Sequence, residues 1–445
     1  MKKILLFGAG KSATVLIDYL IDNAEEENWK LTVADANLQA VMDKVKNSTH
    51  AVAVAFDVTD KTQREHYIND ADIVISMLPP SLHITVATDC IKFSKHLLTA
   101  SYIDDAVKGM EPEIAEKGIL FLCEMGLDPG IDHMSAMKLV DAIHEKNGSV
   151  ISFASHCGGL VAPENDDNPW HYKISWNPQN VVMAGSAGAV FKRNGEVFKV
   201  PYEKVFEKNE TVQVPGLDPL AYYPNRDSLS YIPVYGLEES STFIRSTLRY
   251  PDFCKAWDCI IKARLTDTDR SSPVIANKHI TYREWLEKSI EIHTGYTGID
   301  AFLAQHAGSD AKVVSELFYY LGLLSNDPVP LTATCSADVL QYALEHRLAL
   351  APHDKDMIVM LHEIEYTING KKSVTKSSLI VKGENNVYTA MAKTVGLPLG
   401  IAAKLILDGT IVSRGLHIPI KKDIYDPVLA ELEKLGIKFN EVVSD

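Results

Sequence analysis

The chain has 445 residues and a formal net charge of −15, with 23% charged and 46% hydrophobic residues. That is an ordinary globular balance with room for two or three domains, and the net charge argues against nucleic acid or an anionic membrane surface as the main partner. An anionic small ligand would have to meet a local cluster of Arg or Lys.

Cys90, Cys123, Cys157, Cys254, Cys259 and Cys335 form no C-x-x-C pair and no small disulfide framework, which fits a reduced, cytoplasmic setting. Lys2-Lys3 before Ile4–Phe7 imitates a signal peptide, but Gly8 ends the apolar run too soon. No stretch reads as a transmembrane span.

The first third alternates short apolar runs with helical spacing. Strands are expected at Ile4–Phe7, Leu31–Ala34, Val52–Phe56, Ile73–Leu78, His96–Ala100 and Ile119–Leu122, with a helix over Thr14–Ile21. That alternation implies an α/β fold: a Rossmann-type parallel sheet with helices on both faces. Gly8-Ala9-Gly10-Lys11-Ser12-Ala13 fits G-x-G-x-x-A between the first strand and the first helix. Its small residues permit a tight turn and close backbone approach to a pyrophosphate at the helix N-terminus. An ATP P-loop is excluded, because Leu5 stands where that motif needs Gly. Asp35, at the end of the second strand, could accept hydrogen bonds from ribose hydroxyls and repel a 2′-phosphate, so NAD is expected over NADP. Its structural alternative is to cap the next helix together with Asn37.

The run Cys123–His133 follows the last of these strands. Pro129 and Gly130 impose a turn, Asp132 can cap the next helix, and Asp128 is set at the mouth of a strand. Beyond residue 145 come Gly/Pro-rich, polar and aromatic segments, expected to be loops on a mixed or antiparallel sheet. They contain Cys157-Gly158-Gly159-Leu160 and the carboxylate-binding candidates Arg226, Arg245 and Arg249. Residues 252–350 are helical and read as a small insertion, with helices over Arg283–Ile292, Ala311–Leu324 and Ala337–Leu348. His362-Glu363 begins an H-E-x-x-H pattern, but Tyr366 replaces the second His, and no metal site is expected. Glu363–Ile368 and Ser373–Val381 flank Asn369-Gly370 as a hairpin, and Met391–Leu407 is a further helix.

Several runs occur in the order found in the glutamate-forming saccharopine dehydrogenase family, which the chain resembles over nearly its whole length. They are Thr99–Ile103, Gly126–Gly130, Cys157–Leu160, Tyr223–Ser228, Thr247–Tyr250, Lys355–Met360 and Ala390–Pro398. The resemblance implies an NAD(P)-dependent oxidation of saccharopine in lysine metabolism and a cofactor domain at 1–126 and 390–445. It also implies a substrate and dimerisation domain at 127–251 and 351–389, interrupted by the helical insertion. It places the dinucleotide against Ser12, Ala13, Asp35, Asp57, Val58, Leu78, Ala100, Ser101, Leu127, Asp128, Pro129 and Ser175. It places the substrate, a small molecule with several carboxylates, against Ser101, Tyr102, Asp128, Arg226, Thr247, Leu248 and Arg249. Asp128, Tyr102 and Cys157 are candidates for proton transfer, and the sequence does not rank them. The chain departs from the family where His156 precedes Cys157 and where Trp170-His171 follow Pro169. A homodimer is expected. Alternative readings are a carboxynorspermidine-type amine-forming dehydrogenase, whose polyamine would not call for Arg, and a non-catalytic dinucleotide-binding regulator.

Overall fold

The computed structural model describes residues 1–208, 210–275 and 279–444. It divides into two compact units. The first comprises Met1–Ser149, Ile368–Gly370 and Leu379–Asn440; the second comprises Val150–Thr367, Lys371–Ser378 and Glu441–Asp445. The helix Ile131–His144 thus belongs to the first unit, and the helices of 252–350 belong to the second.

In the first unit the apolar runs become parallel strands β1 (Lys2–Phe7), β2 (Trp29–Asp35), β3 (Ala51–Ala55), β4 (Ile73–Ser76), β5 (His96–Thr99) and β6 (Leu120–Leu122). A seventh strand, Gly415–His417, pairs with β6. It is too short to carry a pattern readable in the sequence. The sheet order is Gly415–His417, β6, β5, β4, β1, β2, β3. Because β1 lies between β2 and β4, strand order reverses at its C-terminal end, where open α/β sheets leave a ligand crevice.

Helix α1 (Thr14–Asp22) follows a 3-10 turn at Lys11–Ala13 and packs against the helix Ala390–Leu407. Glycine is required at that contact. A Cβ on Gly396 would meet the Leu16 nitrogen at 3.0 Å, and one on Gly400 would meet Tyr19 Cδ1 at 2.6 Å. Ala390–Leu407 is the one helix among the described residues long and apolar enough to cross a membrane, contrary to the reading that no such stretch exists. It is 78% buried and is a core helix of this unit.

The second unit is built on a ten-stranded mixed sheet. Its long strand β7 (Ser149–Val161) pairs in parallel with Thr242–Arg249, which pairs antiparallel with Leu220–Pro224. The segments read as polar loops, Cys157–Leu160 and Arg245–Arg249, are therefore strands. Gly158 is there for close approach and not for a turn, since a Cβ would meet the Leu248 carbonyl at 2.5 Å. The Asn369-Gly370 turn forms as expected, both residues at positive φ (52° and 78°), between Asp356–Ile368 and Lys371–Lys382. The helices bury Trp170, Trp257, Trp285 and Phe253 in one aromatic core with Tyr172 and Tyr223.

Candidate active site

Parallel strands share one C-terminal edge, and the first unit's candidate residues all follow strand ends along it. Gly8–Ala13 follow β1, Asp35 ends β2, Asp57 and Val58 follow β3, and Leu78 follows β4. Ala100–Tyr102 follow β5, and Leu127–Pro129 follow β6. Gly8 has φ +98°, and a Cβ there would meet the Met77 carbonyl oxygen at 2.9 Å, so the crevice wall closes only around glycine. Above Gly10 a Cβ would meet nothing within 4 Å, which leaves the turn open on its outer side. Ala13 is fully buried beneath α1. Tight inside and open outside, this turn fits a dinucleotide pyrophosphate.

Asp35 is engaged by the chain itself. Its Oδ2 accepts the Ala9 N–H and its Oδ1 the Asn37 N–H, both at 2.8 Å. The carboxylate therefore ties the Gly-rich turn to the start of the next helix, and Asn37 in turn caps that helix through the Ala40 N–H. Exposed Asp57 likewise accepts the Thr59 N–H, which holds its carboxyl below the usual range.

The loops after β5 and β6 are joined by a buried group that sequence reasoning passed over. Glu124, at φ +54°, accepts the Ile103 N–H on one oxygen and bonds His133 Nε2 at 2.8 Å on the other. The Glu124 and Met125 amides donate to the Ser101 and Thr99 carbonyls. In the turn itself a Cβ on Gly130 would lie 2.0 Å from the Gly126 carbonyl oxygen, and the Asp128–Pro129 peptide is cis. Asp132 does not cap the helix from outside. It sits in the first turn and its Oδ1 accepts the Gly130 N–H at 2.6 Å. The product of this bracing is a pair, with the Tyr102 hydroxyl donating to Asp128 Oδ1 at 3.3 Å, both residues half-buried.

In the second unit, register decides which candidates share a face. Cys157 pairs with Thr247, Thr247 with Tyr223, and Arg249 with Ala221, so these side chains lie on one side of the sheet. Arg249 is 4% exposed. Its guanidinium lies over the Tyr172 and Phe253 rings at 5.0 and 5.4 Å, and Nη1 donates to the Leu248 carbonyl. Its Nε has no partner, and among the described residues no carboxylate pairs with it. A buried cation in that state is costly, and an external anion would relieve the cost.

The other candidates are placed differently. Leu248 points to the opposite face and into an apolar core with Leu160 and Leu220. Also opposite is His156, whose Nδ1 bonds Ser246 Oγ at 2.6 Å and whose Nε2 lies 3.6 Å from Glu363. That imidazole, together with Lys376, holds the Glu363 carboxyl down to about 2. Arg226 is exposed, at φ +51°, just beyond Leu220–Pro224; Arg245 is buried over the Tyr231 ring at 4.4 Å; and Ser175 is buried.

Comparison with known proteins bears on both units. Residues 4–122 match the family model described as the saccharopine dehydrogenase NADP binding domain, and residues 126–437 match the saccharopine dehydrogenase C-terminal domain. The Saccharomyces cerevisiae saccharopine dehydrogenase (NADP(+), L-glutamate-forming) is 34% identical over 449 residues, covering 99% of each chain. The alpha-aminoadipic semialdehyde synthase of Arabidopsis thaliana is 33% identical over 473 residues, covering 98% of this chain and 44% of that one. The chain thus spans about half the length of its plant and animal relatives and nearly the full length of the fungal ones. The solved apo saccharopine dehydrogenase (L-Glu forming) from Saccharomyces cerevisiae superposes with a TM-score of 0.89 at 32% identity, each chain covered completely.

These findings overturn the expected preference for NAD, since the fungal relatives carry NADP(+) in their names and the matching domain is described as NADP-binding. At Asp35 each carboxylate oxygen accepts one backbone amide, so the structural role that was its alternative is realised. Its charge alone does not decide between the two cofactors.

Proposed function

The chain belongs to the saccharopine dehydrogenase family, and from that premise we propose that it oxidises L-saccharopine with NADP⁺ and water to L-glutamate and 2-aminoadipate 6-semialdehyde. The observation that carries the substrate assignment is Arg249, a buried guanidinium whose Nε has no partner and which pairs with no carboxylate among the described residues. A substrate with several carboxylates answers it, whereas a polyamine product would not.

The Gly8–Ala13 turn and the loops after β2 to β6 would hold the cofactor, whose nicotinamide supplies the hydride acceptor when bound. The chain's own part is positioning and proton handling. Arg249 clamps one carboxylate, and exposed Arg226, in a two-residue strand paired with Ala189–Val190, takes another. Asp128, held by the Tyr102 hydroxyl, takes the substrate ammonium as an ion pair. The amine must lose its proton before its neighbouring C–H can be oxidised, and the resulting imine must gain water. Asp128, Tyr102 and Cys157 are the groups we assign to that proton traffic.

The test is an absorbance assay of purified protein with saccharopine and NADP⁺. Formation of NADPH with glutamate and the semialdehyde is expected; no reduction would overturn the reading.

A further inference from the structure

A buried histidine that no sequence motif marks connects the sheet interior to the candidate site. His83 lies in the first turn of the helix Pro80–Lys92, just after β4, and is 6% exposed. Its Nδ1 bonds the Oγ of Ser76, the 1%-exposed last residue of β4, at 2.9 Å. Its Nε2 bonds the Oγ of Ser101, in the loop after β5, at 2.8 Å. Both ring nitrogens are thus engaged by hydroxyls from two adjacent strand ends. Of the three groups only Ser101 is half-exposed, and it stands next to Tyr102, whose hydroxyl reaches Asp128.

We propose that His83 is a positioning residue, holding the Ser101 hydroxyl toward the reacting end of the bound ligand through a Ser76–His83–Ser101 hydrogen-bonded chain. This rests on the assignment of the strand-end edge as the ligand site. Three facts support the chain as more than a satisfied core histidine. First, the ring stays neutral, since burial, only partly opposed by Asp104, brings its pKa down to about 4. A neutral imidazole offers one donor and one acceptor, so each serine faces a defined partner. Second, the anchored end is the deep one: Ser76 is locked in the sheet, and the ordering is transmitted outward. Third, the Ser101 carbonyl is itself pinned by the Glu124 amide, so backbone and hydroxyl of this residue are both held from within the unit. A hydroxyl fixed in this way loses no rotational freedom when a ligand binds, which is how a preorganised site gains rate without a new contact.

The test is a double-mutant cycle on the full chain with His83→Phe, Ser101→Ala and the pair, reading both kcat/KM for saccharopine and the NADPH dissociation constant by nicotinamide fluorescence. His83→Phe is expected to lower kcat/KM about 10–50-fold, Ser101→Ala by at least as much, and the pair no further than Ser101→Ala alone. His83→Gln, which keeps a donor within reach of Ser101, is expected to recover part of the loss and stands in if the Phe variant does not fold. If the two losses multiply, or His83→Phe stays within twofold of the parent, the proposal is overturned. Should the parent protein oxidise no saccharopine, the proposed function fails and the cycle is read on NADPH binding alone. There, a shared, non-multiplying loss supports the chain, and independent losses or none refute it.

Discussion

The two units prepare for their ligands in opposite ways. In the first, candidate groups are satisfied from within. Asp35 takes two backbone amides, His83 two serine hydroxyls, and Glu124 a histidine and an amide. What this unit presents is shape, a glycine turn open on one side. In the second, Arg249 is desolvated and left without a carboxylate. In the proposed function that charge does the recognising, and it is costly until a carboxylate meets it. Shape built from local backbone tolerates small chemical changes nearby, whereas an isolated buried charge does not.

The sharpest way to break the comparison is at that charge. Arg249→Met keeps apolar contact with Tyr172 and Phe253 but removes the guanidinium, and it should lower kcat/KM for saccharopine about 10³-fold, a loss of roughly 4 kcal/mol for a desolvated charge pair. NADPH affinity should stay within twofold. Arg226→Ala, at an exposed position, should raise the saccharopine KM by only about 10-fold. Equal losses at the two arginines, or a matching loss of cofactor affinity, would show that burial is not what sets the value of Arg249.

The same contrast explains what the sequence revealed. Strands β1 to β6 and the Gly-rich turn were legible because their signals are local: apolar runs of four to six residues, glycine spacing and a turn dipeptide. Even there the tie from Asp35 to the Gly-rich turn is not legible, because its hydrogen bond to Ala9 spans 26 positions and leaves no mark on spacing. The second unit's site depends on register. Cys157, Thr247, Tyr223 and Arg249 share a face only because residues 24 to 90 positions apart pair as they do. A one-residue slip would put Leu248 in place of Arg249. Gly158 and Gly159 looked like loop residues, although Gly158 is needed for strand contact. The family resemblance named residues of this face; periodicity could not assemble it.

Acid should separate the units next. In the first, burial brings His83 and His96 from 6.5 to about 4. Between those pH values the unfolded chain binds protons that the folded one refuses, so stability is flat above pH 6.5 and falls as pH drops toward 4. The full His83 shift corresponds to about 3 kcal/mol. In the second, Glu363 is lowered from 4.5 to about 2. Its contribution is present above pH 4.5 and is lost as pH falls through 4.5 toward 2, about 2 kcal/mol after allowing for its partial exposure. Urea melts can resolve the two, since Trp29 lies in the first unit and Trp170, Trp176, Trp257 and Trp285 in the second. The Trp29 signal should weaken more than the others between pH 6.5 and 4, since the second unit has only His306 lowered by burial among its described histidines, and His83→Gln should flatten that slope. Coincident loss in both windows would contradict the separation.

The smallest effects test whether the first unit's recognition is shape alone, through two glycines two residues apart. Gly8→Ala puts a Cβ at φ +98°, 2.9 Å from the Met77 carbonyl oxygen, where backbone must give way. The expected cost is roughly 1–3 kcal/mol of stability, read as a lower melting temperature without any ligand. Gly10 has φ −66° and ψ 179°, a conformation alanine adopts freely, and a Cβ there touches nothing. Gly10→Ala should therefore leave the melting temperature unchanged. If a pyrophosphate approaches the open side of the turn, however, the added methyl occupies its place, and NADPH should bind about 10-fold more weakly, a change of roughly 1.4 kcal/mol. Intact stability with intact affinity in Gly10→Ala would move the phosphates away from this turn. Lost stability would mean that the open side is not open.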